Sequence, residues 1–211
     1  MKHLYTPPAL IKKLFSGFIW ESNNDKILLS FDDGPAIEST GIILKTLSEK
    51  KIKAAFFCVG KNVSENLSLT KEILDEGHLI GNHTFNHKRL TTINNRETNK
   101  EIDDFNILLK EKFNYDVIYF RPPYGRFTIS TQKTLERKNM KCVMWSLLTE
   151  DYKNSFETVK FAVENYLRKN SIVVLHDNVK SKNIIKDSIN FIIDEAYRKG
   201  FDFGSPAESL L

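Results

Sequence analysis

Runs such as Ile172-Val173-Val174-Leu175, and the stretch 54–59, are apolar at every position instead of alternating. That is how strands buried on both faces read. Strands are predicted at 27–31, 54–59, 79–81, 117–120, 141–146, 172–175 and near 201–203. The longer amphipathic stretches between them predict helices at about 37–50, 64–76, 95–112, 128–139, 156–169 and 182–199. Strand-then-helix repetition implies an α/β fold on a parallel sheet, open or closed into a barrel. In both versions catalytic groups collect at the carboxyl ends of the strands.

At 211 residues the chain fits one domain with one core. The expected organisation is an N-terminal segment 1–26 carrying an amphipathic helix that packs on the body, followed by a catalytic domain 27–211. In that segment Leu10, Ile11, Leu14, Phe15, Phe18 and Ile19 recur at helical spacing, and the alternative use of residues 10–19 is peripheral contact with a membrane surface. The 31 basic and 27 acidic residues are interspersed, for a net charge of +4, which gives little support to nucleic-acid binding. Cys58 and Cys142 fall in predicted strands with no C-x-x-C pairing, which fits structural thiols in a reducing compartment better than a disulfide. Pro7-Pro8 and Lys12-Lys13 interrupt the start where a secretory leader needs an apolar run, and no apolar run is long enough to span a bilayer. The expectation is a cytoplasmic protein, which weighs against cell-wall polymer as substrate.

Polar residues follow the predicted strands directly. Asp32-Asp33-Gly34-Pro35 follows the first, His83 and His87 the third, Arg121 the fourth and His176-Asp177 the sixth. Alone, a His-x-x-x-His is explained as well by surface or capping histidines; on a helical turn it puts both rings on one face at metal-bridging range. With a strand-end carboxylate it makes a two-His, one-carboxylate set that leaves positions open for water and substrate. Neighbours on an extended segment point to different sides, so one aspartate can ligate while the other serves as a base. Arg121-Pro122-Pro123-Tyr124-Gly125 is a stiff turn: either a surface loop with Arg121 in a salt bridge, or a device that aims Arg121 at a carboxylate and a backbone N–H at an oxyanion. His176 reads as a core histidine or, at the same rim, as a general acid or base.

These segments resemble the NodB-homology polysaccharide deacetylases, carbohydrate esterase family 4. The family's T-F-D-D-G is present as Ser30-Phe31-Asp32-Asp33-Gly34, H-[ST]-x-x-H as His83-Thr84-Phe85-Asn86-His87, R-P-P-[YF] as Arg121-Pro122-Pro123-Tyr124, and L-x-H as Val174-Leu175-His176. The resemblance implies an irregular (β/α) barrel in a single domain and metal-dependent removal of an N-acetyl group from an amino sugar or polysaccharide. It makes Asp33, His83 and His87 the ligands of a divalent ion, zinc in the first place, with cobalt, nickel or manganese as alternatives. It makes Asp32 the base toward the attacking water, Arg121 its holder, the Tyr124 N–H an oxyanion donor and His176 the acid. An N-acylated saccharide is the implied partner.

One motif departs. D-x-x-D-W aligns with Leu148-Thr149-Glu150-Asp151-Tyr152, so Leu148 stands where the carboxylate paired with the catalytic histidine is expected. His176 then needs another partner, Asp151 or Asp177, or works without one. Without that charge it is expected to lose its proton at lower pH. Competing readings are a deformylase, an O-acetyl esterase, or a sugar-binding protein that keeps the metal but has lost turnover, which only Leu148 favours.

Overall fold

The computed structural model describes residues 5–210. The first four residues of the expected 1–26 segment, and the last of the expected 27–211 domain, lie outside the described residues. A parallel sheet of seven strands forms the centre: β1 (Leu28–Asp33), β2 (Ala55–Cys58), β3 (Leu79–Asn82), β4 (Tyr119–Phe120), β5 (Lys141–Cys142), β6 (Leu147–Leu148) and β7 (Ile172–His176), in the order β5-β4-β3-β2-β1-β7-β6. Helices α1 (Ala9–Leu14), α2 (Thr40–Lys50), α3 (Gly60–Glu65), α4 (Leu67–Asp75), α5 (Asn95–Phe113), α6 (Ile129–Arg137), α7 (Phe156–Tyr166), α8 (Ile185–Arg198) and α9 (Pro206–Ser209) complete the fold. It is the expected irregular (β/α) barrel.

Side-chain alternation divides the strands between two apolar clusters. Leu29, Phe31, Phe56, Cys58, Val173 and Leu175 join the large cluster shared with the helices, whereas Leu28, Ala55, Phe57, Tyr119, Val143 and Ile172 form a small inner one. Both faces are therefore dry along most of each strand, which is why these runs are apolar at every position. Along β1 the inner face continues from Leu28 through Ser30 to Asp32, and there it turns polar.

Several boundaries differ from expectation. The predicted strand 141–146 is reduced to β5 and ends at Cys142, where the carbonyls of Val143 and Met144 accept hydrogen bonds from the Arg121 side chain rather than from a neighbouring strand, and β6 begins beyond it at Leu147. The segment near 201–203 makes a single bridge, Ile27 to Phe203. The helix predicted over 64–76 is interrupted at Asn66 (φ −134°, ψ 55°), which ends α3 and starts α4. The N-terminal stripe is also divided. Phe18 is buried, and Phe15 and Phe18 meet Phe127 at 4.7 and 5.0 Å, while Leu10 and Leu14 stay 66% and 65% exposed. Ile19 leaves the helix to bridge Val143 beside β5.

Register aligns the strand ends. Asp32 is opposite Phe57 on one side and His176 on the other, Asp33 is opposite Cys58, Cys58 opposite Asn82, and Asn82 opposite Phe120. The residues that follow, His83 and Arg121, therefore emerge at the same rim as Asp33 and His176.

Gly81 of β3 lies beneath that rim, opposite Phe57. A Cβ there would sit 2.5 Å from the Phe57 ring, and that ring supports Arg121. Gly81→Ala should cost ~1–3 kcal/mol through overpacking, at ~2–4 °C of melting temperature per kcal/mol for a domain of this size. Thermal unfolding followed by circular dichroism checks this, and an unchanged melting temperature would show that the ring yields freely.

Candidate active site

Arg121 is fully buried, and each of its side-chain nitrogens donates a hydrogen bond. Nη1 donates to Asp32 Oδ1 at 2.6 Å and to Ser30 Oγ at 2.9 Å; Nε and Nη2 donate to the carbonyls of Val143 and Met144 at 3.0 and 2.8 Å. The guanidinium lies 4.0 Å from the centre of the Phe57 ring. Burial lowers its pKa, and the Asp32 carboxylate offsets part of that. A buried cation is tolerable only with such complete pairing. Of the two sequence readings of Arg121, the structure has the inward one.

The backbone of the same residue orients His83. The Arg121 N–H donates to the Asn82 carbonyl at 2.9 Å, and the Arg121 carbonyl lies 2.7 Å from His83 Nδ1. Nδ1 must carry the proton to make that bond, which leaves the Nε2 lone pair facing Asp33 Oδ1 at 3.7 Å and Asp32 Oδ2 at 4.0 Å. Burial pushes the His83 pKa down to about 4 against the pull of Asp32, so the ring is neutral in the ordinary pH range and free to donate its lone pair to a cation.

His87 Nε2 completes the cluster, 3.1 Å from Asp33 Oδ1. The two histidines are not on a helical turn as expected. Residues 83–87 form an irregular loop with Thr84 (φ 65°) and His87 (φ 55°) in the left-handed region, and the ring centres end 5.0 Å apart. Glu101, buried on α5, holds the loop by accepting from the Asn86 N–H at 2.7 Å and from Asn86 Nδ2 at 2.9 Å.

Asp33 departs from simple alternation too. Its φ of 79° keeps it at the rim, so both aspartates line one cavity of about 560 Å³. Asn62 Nδ2 donates to its carbonyl at 2.7 Å. Burial alone would raise the Asp33 pKa, but the hydrogen bond from His87 and then the charge of His176 hold it well below the usual carboxylate range. One carboxylate oxygen of Asp33 and one nitrogen of each histidine all lie within 4.8 Å of one another. This donor set fits a divalent first-row ion: two neutral imidazoles, one anionic carboxylate, and room on the cavity side for further ligands.

His176, across from Asp32 on β7, has a partner. Its Nδ1 lies 2.7 Å from Asp151 Oδ1, and its N–H donates to Asp151 Oδ2 at 2.8 Å. Register explains why residue 148 does not fill this role: Leu148 pairs with Val174 on β7, two residues short of the histidine. Beyond β6 the chain turns at Glu150 (φ 57°) and brings the fully buried Asp151 under the ring, while Leu148 becomes part of the cavity wall. Burial lowers the His176 pKa, but Asp151 first, then Asp33 and Asp32, outweigh it and raise it to about 9. The expectation that His176 gives up its proton at unusually low pH is thereby corrected. Asp177, the other suggested partner, faces elsewhere and accepts from Ser39 Oγ and Thr40 Oγ1 at 2.6 Å each.

Tyr124 is half-exposed in a left-handed conformation (φ 59°), its ring 4.7 Å from that of His87. Gly125 is obligatory beside it, because a Cβ would meet Trp145 at 2.3 Å. Four participants escaped the sequence reading: Glu101, Asn62, Trp145 and Asn178. Each meets its partner across a long stretch of chain, and nothing in its own neighbourhood marks it.

Residues 21–143 match the family Polysaccharide deacetylase. A peptidoglycan-N-acetylglucosamine deacetylase of Bacillus cereus is 33% identical over 173 residues, 82% of this chain and 63% of that protein, so the chain spans less than two thirds of that relative's length. A second Bacillus cereus protein of the same name is 32% identical over 201 residues, covering 92% of this chain and 94% of the relative. Among solved structures, a peptidoglycan N-acetylglucosamine deacetylase in complex with 4-naphthalen-1-yl-N-oxidanyl-benzamide superposes with a TM-score of 0.88 at 28% identity, covering 96% of both chains. With its strand-end motifs, its barrel and a profile match over more than half its length, this chain belongs to the polysaccharide deacetylases, the NodB-homology group of carbohydrate esterase family 4.

Proposed function

We propose that the chain is a metal-dependent deacetylase that hydrolyses the N-acetyl group of glucosamine-type residues in a glycan. The observation that carries this is the pair of anchored proton carriers beside the ligand cluster: Asp32 fixed by Arg121, and His176 fixed by Asp151, on adjacent strands of one cavity. Asp33, His83 and His87 hold the ion, and zinc is the first choice for that donor set. When bound, it supplies Lewis acidity to the scissile carbonyl.

The remaining chemistry belongs to the chain. Asp32, one oxygen tied to Arg121, takes a proton from the water that adds to the carbonyl carbon. The Tyr124 N–H donates to the oxyanion that develops as the C=O bond opens. His176 gives its proton to the nitrogen as the C–N bond breaks, releasing acetate and a free amine. A pKa of about 9 suits that task, since the ring enters the reaction protonated. With Asp151 in place, Leu148 no longer favours a protein that binds sugar without turning it over.

The names of the relatives support the substrate class: peptidoglycan N-acetylglucosamine for two of them, and chitooligosaccharide for a Rhizobium leguminosarum protein 30% identical over 157 residues. Among the described residues no helix is long and apolar enough to cross a membrane, and Leu10 and Leu14 are what a peripheral contact would use. A cytoplasmic location, as expected from the sequence, would confine the enzyme to soluble oligosaccharides or precursors. Acetate release, and formate release beside it, across N-acylated chitooligosaccharides and peptidoglycan fragments tests the reading. Formate without acetate would replace it with a deformylase.

Three results are expected of variants. His83→Ala and His87→Ala together should leave the purified protein without stoichiometric metal by elemental analysis; full metal content would sink the ligand assignment. Asp32→Asn should keep the metal and lose ~10²–10⁴-fold in turnover, the usual worth of a general base; parallel loss of metal would make Asp32 a ligand. Asp151→Asn removes the strongest influence holding the proton on His176. The alkaline limb of kcat/KM should then move to lower pH, because that limb reports the acid of the free enzyme. An unmoved limb would mean that His176 is not the acid.

A further inference from the structure

We propose that Asn178 is a positioning residue that restricts Asp33 to one metal-facing oxygen and so keeps a coordination position open for water and substrate. This rests on the reading of Asp33, His83 and His87 as ligands. A carboxylate can grip an ion with one oxygen or with both, and gripping with both fills a position that catalysis needs. Asp33 presents Oδ1 to the two histidine nitrogens at 3.1 and 3.7 Å. Its Oδ2 is engaged elsewhere, accepting from Asn178 Nδ2 at 2.7 Å.

The amide cannot be turned the other way. Asn178 Oδ1 accepts from the N–H groups of Lys180 and Ser181 at 2.9 and 3.3 Å, so its donor end is the one left for Asp33. The turn that carries it is itself tied to β7, because the Ser181 hydroxyl donates to the carbonyl of His176. The other end of the pair is equally constrained, since the Asp33 carbonyl is held by Asn62 and its backbone is left-handed. Rotation of the Asp33 carboxylate toward two-point contact would break the Asn178 bond. An amide suits this work: it donates to the anion without competing for the cation, as a second carboxylate would. Asn178 also lines the cavity, so the acid, at position 176, and the holder of a metal ligand leave β7 on one short segment.

Asn178→Ser separates this role from that of a loop cap. A serine hydroxyl can still accept from the N–H two residues on, but it is too short to reach Asp33. The probe is Co²⁺, added to metal-free protein in competition with a chromophoric chelator, with the visible spectrum of the bound ion recorded. Outer partners of metal ligands typically contribute about 10–100-fold to affinity. The folded variant should therefore bind Co²⁺ ~10–100-fold more weakly, and its visible bands should weaken as the coordination number rises. Asn178→Thr, which also keeps the turn hydroxyl, serves if the serine variant melts much earlier than the parent. Wild-type affinity and spectrum in a folded variant would overturn the inference and leave the proposed function standing. Failure of the unmutated protein to bind Co²⁺ would overturn the metal centre and this inference together.

Discussion

Arg121 is the residue on which the rest of the site depends. Its guanidinium joins the inner face of β1, through Ser30 and Asp32, to the carbonyls between β5 and β6, and lies on a ring from β2. Its backbone reaches β3 and sets the tautomer of His83. Taking that charge out of water is costly, and the cost is offset only because each side-chain nitrogen has an acceptor and the charge has a carboxylate. The arrangement is consequently all-or-none: without the arginine side chain, Asp32 would be a buried anion with no counter-charge, and the Val143 and Met144 carbonyls would lose their donor. One residue thus orients a base with its side chain and a ligand with its backbone.

The two proton carriers owe their different behaviour to different neighbours. Asp32 faces a permanent cation and serves as an acceptor. His176 faces the buried Asp151, which holds its proton on. Both sit on adjacent strands at paired positions, so the separation between base and acid is set by strand spacing, which changes little. The ligands are placed by less regular means. Asp33, Thr84 and His87 all adopt left-handed backbone conformations, which for non-glycine residues persist only where the surroundings insist. Here the insistence comes from Asn62 on Asp33 and from Glu101 on the histidine loop.

Much of this was legible in the linear sequence because it follows from local rules. Apolar runs without alternation mean strands wet on neither face, and such strands are parallel and carry their chemistry at the carboxyl end. Asp32, Asp33, His83, Arg121 and His176 could therefore be gathered at one rim without knowing any distance. His83 and His87 do not share a helical turn because their spacing is compatible with more than one backbone, and the left-handed conformations of Thr84 and His87 leave no mark in composition. The sequence left the partner of His176 open between Asp151, Asp177 and none for a related reason: register ends β6 beside Val174, and the turn at Glu150 decides that Asp151 arrives.

What the sequence determined by itself is the set of groups and the face on which they gather, since hydrophobic periodicity and strand-to-helix order are properties of neighbours along the chain. What only the tertiary structure decided is how each group is held: Arg121 against Asp32, Asp151 against His176, Glu101 under the histidine loop, Asn178 on Asp33. These are contacts between segments distant in sequence. A side chain's direction at a strand end depends on register and on a few left-handed residues, and no local pattern encodes either.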